Sequence, residues 1–575
     1  IAQNLVTNTP TQGTAAYTVT PNLNGCLGSS IPVNITINPV PVVTATPNTQ
    51  TLCTGASTNI ALTSTVAGTS FAWTVSQTGV SGASAGTGAV IAQTLTTTGL
   101  APGNVTYTIT PTANGCSGLP ITVTVIVNPY PTVTATPTTQ TLCSGSATNI
   151  SLSSNVVGTA FNWTITPSLV AGAANGTGSL IAQTLTTTGT QPGYVTYTIV
   201  PSVGLCAGSS IQVTVNVNPV PVVSATPPNQ SFCSGGTTNI ALNSNVSGTT
   251  FAWTAANNGV SGGSNANGLN IIQTLTTTGT ATGITTYTVT PTANGCNGAP
   301  LNVPITVYPI PALTVTPSTQ TICSGSASNI ALSSSVAGTT YSWIVTNATC
   351  GGANAGTGSS IAQTLTALSL GLDSATYLIT PSANGCPGAP KYATLFVRPI
   401  PVVSASPSAQ TICNGNSDYI TLSSNLPNTS YSWTVVQSNT VGAANGSGSI
   451  INQVLNTTTA FPGSVNYTVT PVSNGCSGAP LTIPVTVNPS PSLNIIASQT
   501  SVCVGQDITF SFVNPGLSSY YWNFGDGSYG STNPVHHVYS SNSTTYTATL
   551  VGTSITYGCT DSTKKTITIL ASPIA

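Results

Sequence analysis

The chain has 575 residues, of which only 2% are charged, for a net charge of -1; typical globular proteins carry about 25%. Residues 1 to 372 contain no Asp, Glu, Lys or Arg, and the two histidines, His536 and His537, stand near the end. Nucleic-acid binding needs a basic stripe and acid–base catalysis needs side chains that titrate near neutrality, so both classes are excluded as readings of this sequence. The chain is 39% hydrophobic, and disorder would require low hydrophobicity with high net charge. No apolar run reaches the roughly 18 residues of a transmembrane helix.

In chain order, a Cys…Trp…Cys…Pro frame recurs every ninety residues. Joints fall at Asn38-Pro39, Asn128-Pro129, Asn218-Pro219, Tyr308-Pro309, Arg398-Pro399 and Asn488-Pro489, each with a second proline two residues on. Proline fixes its own φ and biases the residue before it to extended geometry, so these joints read as short and stiff. The expected modules are 1–39 (partial), 40–129, 130–219, 220–309, 310–399, 400–489 and a variant 490–575. Ile1-Ala2-Gln3-Asn4-Leu5 aligns with Ile91-Ala92-Gln93-Thr94-Leu95, so the chain reads as a piece of something longer.

Within a module the signal is β throughout. Val105-Thr106-Tyr107-Thr108-Ile109 and Ile121-Thr122-Val123-Thr124-Val125 alternate apolar and polar residues, which sends one set inward. Asn-Gly turns at Asn114, Asn294, Asn384 and Asn474 mark hairpins. Roughly seven short strands in about 90 residues predict an immunoglobulin-like sandwich. The fold class is therefore all-β, a tandem array of sandwich modules expected to form an extended rod. One Trp per module (73, 163, 253, 343, 433, 522) is expected in the core rather than as a ligand-stacking ring. Gln93, Gln183, Gln273, Gln363 and Gln453 sit on the apolar-facing parity and are expected to hydrogen-bond a loop. The stretch Gly82-Ala83-Ser84-Ala85-Gly86-Thr87-Gly88 lacks the Lys of a phosphate loop and reads as a hairpin connection. Asn-x-Ser/Thr triplets such as Asn104-Val105-Thr106 are no more than chance supplies.

Fourteen Cys at regular spacing point to an oxidising compartment. The expected pairs are within modules: Cys53–Cys116, Cys143–Cys206, Cys233–Cys296, Cys323–Cys386, Cys413–Cys476 and Cys503–Cys559. A rival pairing staples across a joint, as in Cys116–Cys143, because the two cysteines of a strict sandwich of this topology would lie at opposite ends. Cys26 is without its in-module partner. Cys350 replaces Val80, Val170 and Val260 and is expected as a buried thiol. No CxxC or nearby His favours zinc. Asp507, Asp526 and Asp561 are the only grouping of acids that could be weighed for calcium, which wants six to eight oxygens; no cofactor or metal is expected.

Trp522-Asn523-Phe524-Gly525-Asp526-Gly527-Ser528, followed by Asn533-Pro534 and His537-Val538-Tyr539, resembles a PKD (polycystic kidney disease) domain, with His536 as one extra residue. The full modules resemble the PKD-like repeats of giant Bacteroidota surface proteins, through stretches such as Ile322-Cys323-Ser324-Gly325 and Tyr287-Thr288-Val289-Thr290-Pro291 with Asn294-Gly295-Cys296. That resemblance implies a secreted or surface-anchored protein of adhesion, gliding or filaments, exported by the type IX route. Asp373-Ser374-Ala375 and Asp561-Ser562-Thr563 are similar to that phylum's O-glycosylation motif, which marks Ser374 and Ser562.

The expected function is a non-enzymatic stalk or filament subunit. Strands of about seven residues at ~3.3 Å each give about 40 Å per module. The alternative is that the repeats themselves bind a glycan or surface. Ice binding through rows such as Thr96-Thr97-Thr98 is a weaker third reading. The expected partners are other copies, in a fibre or bundle through uncharged edge strands or by strand donation to the partial module, or a surface ligand at a tip.

Overall fold

The computed structural model describes residues 1–541 and 544–571, and all of its regular elements there are β-strands. The chain divides into two compact units, one of residues 1–278 with 282–307 and one of 279–281 with 308–575. Each contains successive sandwiches with separate cores. In the first unit the cores span 43–127, 133–217 and 223–307; in the second they span 313–397, 403–487 and 495–569. Modules are named below by these spans.

Module 133–217 stands for the others. Its main sheet runs, in spatial order, Thr139–Cys143, Ile211–Asn218, Gly193–Val203, Ala160–Ser168 and Gly176–Thr177, with Cys206–Ala207 folded back on Gly193–Val203. The first pair is parallel and the others antiparallel. Two three-stranded sheets face it. One is built from Val133–Thr136, Ile150–Ser154 and Leu180–Ile181, the other from Ser146–Ala147, Thr184–Thr187 and Val170–Ala171. Alternation decides what goes inside. Along Gly193–Val203 every second residue is buried, including Val195, Tyr197 and Ile199. Val213, Val215 and Val217 on one neighbouring strand and Trp163, paired with Ile199 on the other, share that core.

Burying a Trp and a Tyr requires partners for their polar ends, and Gln183 supplies them. Tyr197 Oη donates to Gln183 Oε1 at 2.8 Å, Ala174 N donates to the same oxygen at 3.0 Å, and Gln183 Nε2 donates to Ala174 O at 2.7 Å. Trp163 Nε1 donates to that carbonyl at 3.2 Å. Thr148 Oγ1 accepts from Gln183 N and donates to Ile181 O. The expected role of the repeated Gln is thus met, and the Gly-rich loop is the element it ties down. In module 403–487 a buried Asp418 takes the threonine's place and accepts from Tyr467 Oη and Gln453 N.

Burial pushes the Tyr197 hydroxyl up to about 12, against the pull of its hydrogen bond with Thr148; burial pushes Tyr287 and Tyr377 to about 12 as well. A tyrosine whose folded pKa is raised contributes stability that is whole below about pH 10 and is lost as pH rises toward 12. Tyr197→Phe should therefore flatten the alkaline loss of protection in module 133–217, read by hydrogen exchange from pH 9 to 11.5. Gln183→Leu should cost about 1–3 kcal/mol at neutral pH, because it strands buried polar groups.

Candidate functional site

Among the described residues no cleft gathers titratable groups; what recurs within each unit is the contact between one module and the next. Strand Thr49–Cys53 adds in parallel to Ile121–Asn128 so that Cys53 lies opposite Asn128, and Thr54 N donates to Asn128 O at 2.9 Å. The first cysteine of the module is thereby fixed beside the residue that precedes the joint proline. The second, Cys116, sits on the hairpin that closes the other end: Gly103 pairs with Val127, whereas Ala113, ten residues further along the same strand, pairs with Cys116. Ten strand residues span about 33 Å, and a disulfide needs Cα atoms within about 7 Å. The two cysteines of one module cannot meet.

The bonds instead run from the first cysteine of one module to the second cysteine of the next. They join Cys53 to Cys206 and Cys143 to Cys296 in the first unit, and Cys323 to Cys476 and Cys413 to Cys559 in the second, with Cα–Cα distances of 5.4, 5.7, 5.6 and 5.5 Å. Cys233 and Cys386 are disulfide-bonded as well. This corrects the expected pairs Cys53–Cys116, Cys143–Cys206, Cys233–Cys296, Cys323–Cys386, Cys413–Cys476 and Cys503–Cys559; the rival reading of staples across a joint holds, with these partners in place of its example Cys116–Cys143. Cys116 and Cys503, expected to be bonded, are free thiols, as are Cys26 and Cys350. The bridged residues are 153 apart in three of the bonds and 146 in the last. Closing one loop of that length lowers unfolded-chain entropy by the equivalent of about 5 kcal/mol.

Around each bond the joint is pinned by backbone contacts. Asn38 Nδ2 donates to Asn114 O and Asn218 Nδ2 to Asn294 O, each at 2.9 Å, so the residue before the joint proline grips the Asn-Gly turn of the following module. Arg398 does the same to Asn474 O through its guanidinium. The second joint proline then runs under the hairpin. A β-carbon on Gly208 would lie 1.7 Å from Pro131 O, and one on Gly118, Gly298, Gly388 or Gly478 would lie 1.8–1.9 Å from the matching proline carbonyl. The glycine two residues after the second cysteine of these five modules is there because backbone passes where a side chain would stand. Sequence reading missed this use of the Cys-x-Gly glycine and the pre-proline Asn; both signals were present at the same ninety-residue spacing.

The other expected sites fall elsewhere. All six Trp are buried, and Cys350 is a core thiol packed with Trp343 and Tyr377. Burial pushes its pKa up. Asp373 is buried at the start of strand Asp373–Ala383; burial opposes its charge, but hydrogen bonds from Ser369 and Leu368 outweigh this and hold its carboxyl below the usual range. Ser374 next to it is half-buried, whereas Ser562 is exposed on strand Thr560–Leu570. Asp507, Asp526 and Asp561 are not brought together. Asp507 Oδ2 meets His536 Nδ1 at 2.6 Å and Asp526 Oδ2 meets His537 Nε2 at 2.8 Å. Among the described residues no three His, Cys, Asp or Glu side chains form a cluster that could hold a metal, and no helix is long and apolar enough to cross a membrane.

A main sheet closed by two smaller ones, repeated along a chain, defines a tandem array of immunoglobulin-like sandwiches. A family model described as a PKD-like domain matches residues 50–131, 140–221, 230–311, 320–401 and 410–491, and a PKD domain model matches 488–569. The chain belongs to the PKD-like domain family. No curated protein matches it in sequence. Solved structures that align include the bacterial integrin-binding protein invasin, at 14% identity over 61% of this chain and 79% of that one, with a TM-score of 0.28. Domains 4–9 of the surface layer protein SbsC align at 10% identity over 90% and 95%, with a TM-score of 0.22. The N-terminal eight immunoglobulin domains of Down syndrome cell adhesion molecule align at 12% identity over 94% and 86%, with a TM-score of 0.19.

Gly208→Ala should destabilise module 133–217 by about 1–3 kcal/mol, the cost of forcing volume into a filled site. Gly189→Ala, where a β-carbon would meet nothing within 4 Å, should change stability by less than about 0.5 kcal/mol. Paired urea or thermal unfolding of the two variants checks this.

Proposed function

We propose that the chain is the stalk of an extracellular, cell-surface bacterial protein, a non-enzymatic series of modules, one for each ninety-residue period between joints, that holds an adhesive tip away from its base. The observation that carries this reading is the disulfide from each module to its successor within both units. A bond inside a module protects that module, whereas a bond across a joint resists extension and bending of the joint itself. Stable disulfides also fit a chain that works outside a reducing cytosol. The resemblance to Bacteroidota surface repeats supports that origin and export by the type IX route. The exposure of Ser562 favours it over half-buried Ser374 as the carrier of any O-linked glycan.

A binding role for the repeats has one observation in its favour. Leu368, Leu370 and Leu372 are all more than half exposed on the loop before strand Asp373–Ala383. Arg398 lines the same groove as Leu370 and Leu372. Glycan or peptide arrays probed with the whole chain, with and without Leu370→Ser, test that reading.

The stalk reading is tested by pulling single molecules from end to end. A reduced module of 90 residues should release up to about 300 Å of contour on unfolding. The oxidised chain should release far less per event, because tension passes through the cross-joint bonds. Equal release with and without reductant would count against the proposal, as would small-angle scattering that fits a compact globule.

A further inference from the structure

One joint departs from the repeat at several positions together. In the four other complete PKD-like modules a glycine opens the long strand of the main sheet. A β-carbon on Gly103, Gly193, Gly283 or Gly463 would lie 2.6 Å from a backbone carbonyl oxygen. Module 313–397 has Asp373 in that place, and the strand beside it carries a register shift between Val345 and Asn347. The buried Asp373 carboxylate accepts Leu368 N at 2.6 Å and Ser369 N at 3.0 Å on Oδ2, and Ser369 Oγ at 2.8 Å on Oδ1. Ser369 Oγ in turn accepts from Gly371 N at 3.1 Å. Hydrogen bonds to a buried carboxylate are strong, so the loop 368–372 is fixed while Leu370 and Leu372 stay more than half exposed. A loop fixed in advance avoids the ordering cost that a mobile one incurs on binding.

These leucines rim a groove of about 290 Å³ that is completed by module 403–487, in the same unit. Its polar lining departs from the repeat as well. Arg398 stands where the other joints have Asn or Tyr, Asn428 where the other complete PKD-like modules have Gly, and Ser473 where they have Ala or Val. One Arg398 N–H donates to Asn474 O, but a guanidinium carries five donors. Among the described residues no carboxylate pairs with it. The two acids of these modules are buried and engaged elsewhere, Asp373 by its loop and Asp418 by Tyr467 and Gln453. Ser473 is buried too, and its hydroxyl meets Pro427 O and Asn474 Nδ2 only at 3.5 Å, longer than an ordinary hydrogen bond.

We propose that this groove docks an acidic, aliphatic peptide segment of another protein: an Asp or Glu carboxylate seats on Arg398, and a neighbouring aliphatic side chain lies against Leu370 and Leu372. The inference rests on the reading that the repeats bind a partner, and it names that partner's chemistry. Charge complementarity selects the occupant. In a chain with 2% charged residues, an arginine without a carboxylate of its own calls for an anion, and the planar guanidinium takes a carboxylate through two parallel hydrogen bonds. The leucine rim calls for an apolar group beside that anion. A neutral sugar would supply neither. The volume is at the small end for ligand sites, so it suits one or two residues of an extended segment rather than a folded surface.

The probes are two blocked, fluorophore-labelled peptides, acetyl-Ala-Leu-Asp-Leu-Ala-amide and its Asn counterpart acetyl-Ala-Leu-Asn-Leu-Ala-amide. Each is titrated into the oxidised 575-residue chain and followed by fluorescence anisotropy. The Asp peptide should bind saturably and the Asn peptide about tenfold more weakly, the range of a hydrogen bond to a charged group. Added salt should weaken the Asp peptide. Arg398→Asn removes the charge but installs the residue that grips the next turn at Asn38 and Asn218; an intact Cys323–Cys476 peptide in mass spectrometry confirms that the joint survives. Arg398→Asn and Leu370→Ser should each weaken the Asp peptide about tenfold, whereas Lys391→Gln, at the opposite end of the same strand, should leave it unchanged. Equal binding of the two peptides, binding indifferent to Arg398→Asn or to Leu370→Ser, or no saturable binding of the Asp peptide would each overturn this inference. The wider binding reading fails only if the arrays probed with the whole chain also find no ligand.

Discussion

Strand polarity decides how these modules are tied together. A strand of eleven residues such as Gly103–Ala113 carries the chain from one end of the sandwich to the other. The first cysteine is held at the end where the chain leaves, by its parallel pairing with the last strand. The second is on a hairpin at the end where the chain enters. With the two separated by the length of the sheet, each cysteine can reach only a neighbouring module. The prolines of the joint, the glycine under which they pass and the pre-proline side chain that grips the next turn all serve to bring that neighbour's hairpin within bonding distance.

A near absence of charge is compatible with this design because the interior is settled by neutral hydrogen bonds. A Tyr–Gln pair, backed by Thr in three modules, by Ser328 in 313–397 and by Asp418 in 403–487, ties core to loop in every complete repeat of the PKD-like type, and it needs no ion pair. In the 495–569 module, where that network is missing, an aromatic cluster does the corresponding job. Phe524 stacks on His537 at 4.0 Å, and Tyr539 Oη donates to Phe524 O. Burial works against ionisation of Asp526, yet hydrogen bonds from Ser528 and the pairing with His537 hold its carboxyl below the usual range. The few ionisable groups thus stand mostly where the repeat departs from its own pattern.

Much of this was readable from residues alone. Alternation along Val105–Ile109, the Asn-Gly turns and the strict period define all-β modules and the Trp core without coordinates. The Gln network was legible because a polar residue on an apolar-facing position must find partners. Sandwich topology left a staple across the joint open as a rival, but the exact cysteine partners were not legible, because spacing within a repeat and spacing between repeats are equally regular in a periodic sequence. Only the parallel addition of Thr49–Cys53 to the last strand fixes which end each cysteine occupies, and such parallel pairing leaves no local signature. Cys350 could be placed by alignment with Val80, Val170 and Val260, since a core position constrains size and polarity.

The most direct measurement is disulfide mapping of the native, oxidised chain by proteolysis and mass spectrometry without reduction. The account predicts peptides that link Cys53 to Cys206, Cys143 to Cys296, Cys323 to Cys476 and Cys413 to Cys559. Peptides that link Cys53 to Cys116 or Cys143 to Cys206 would contradict it.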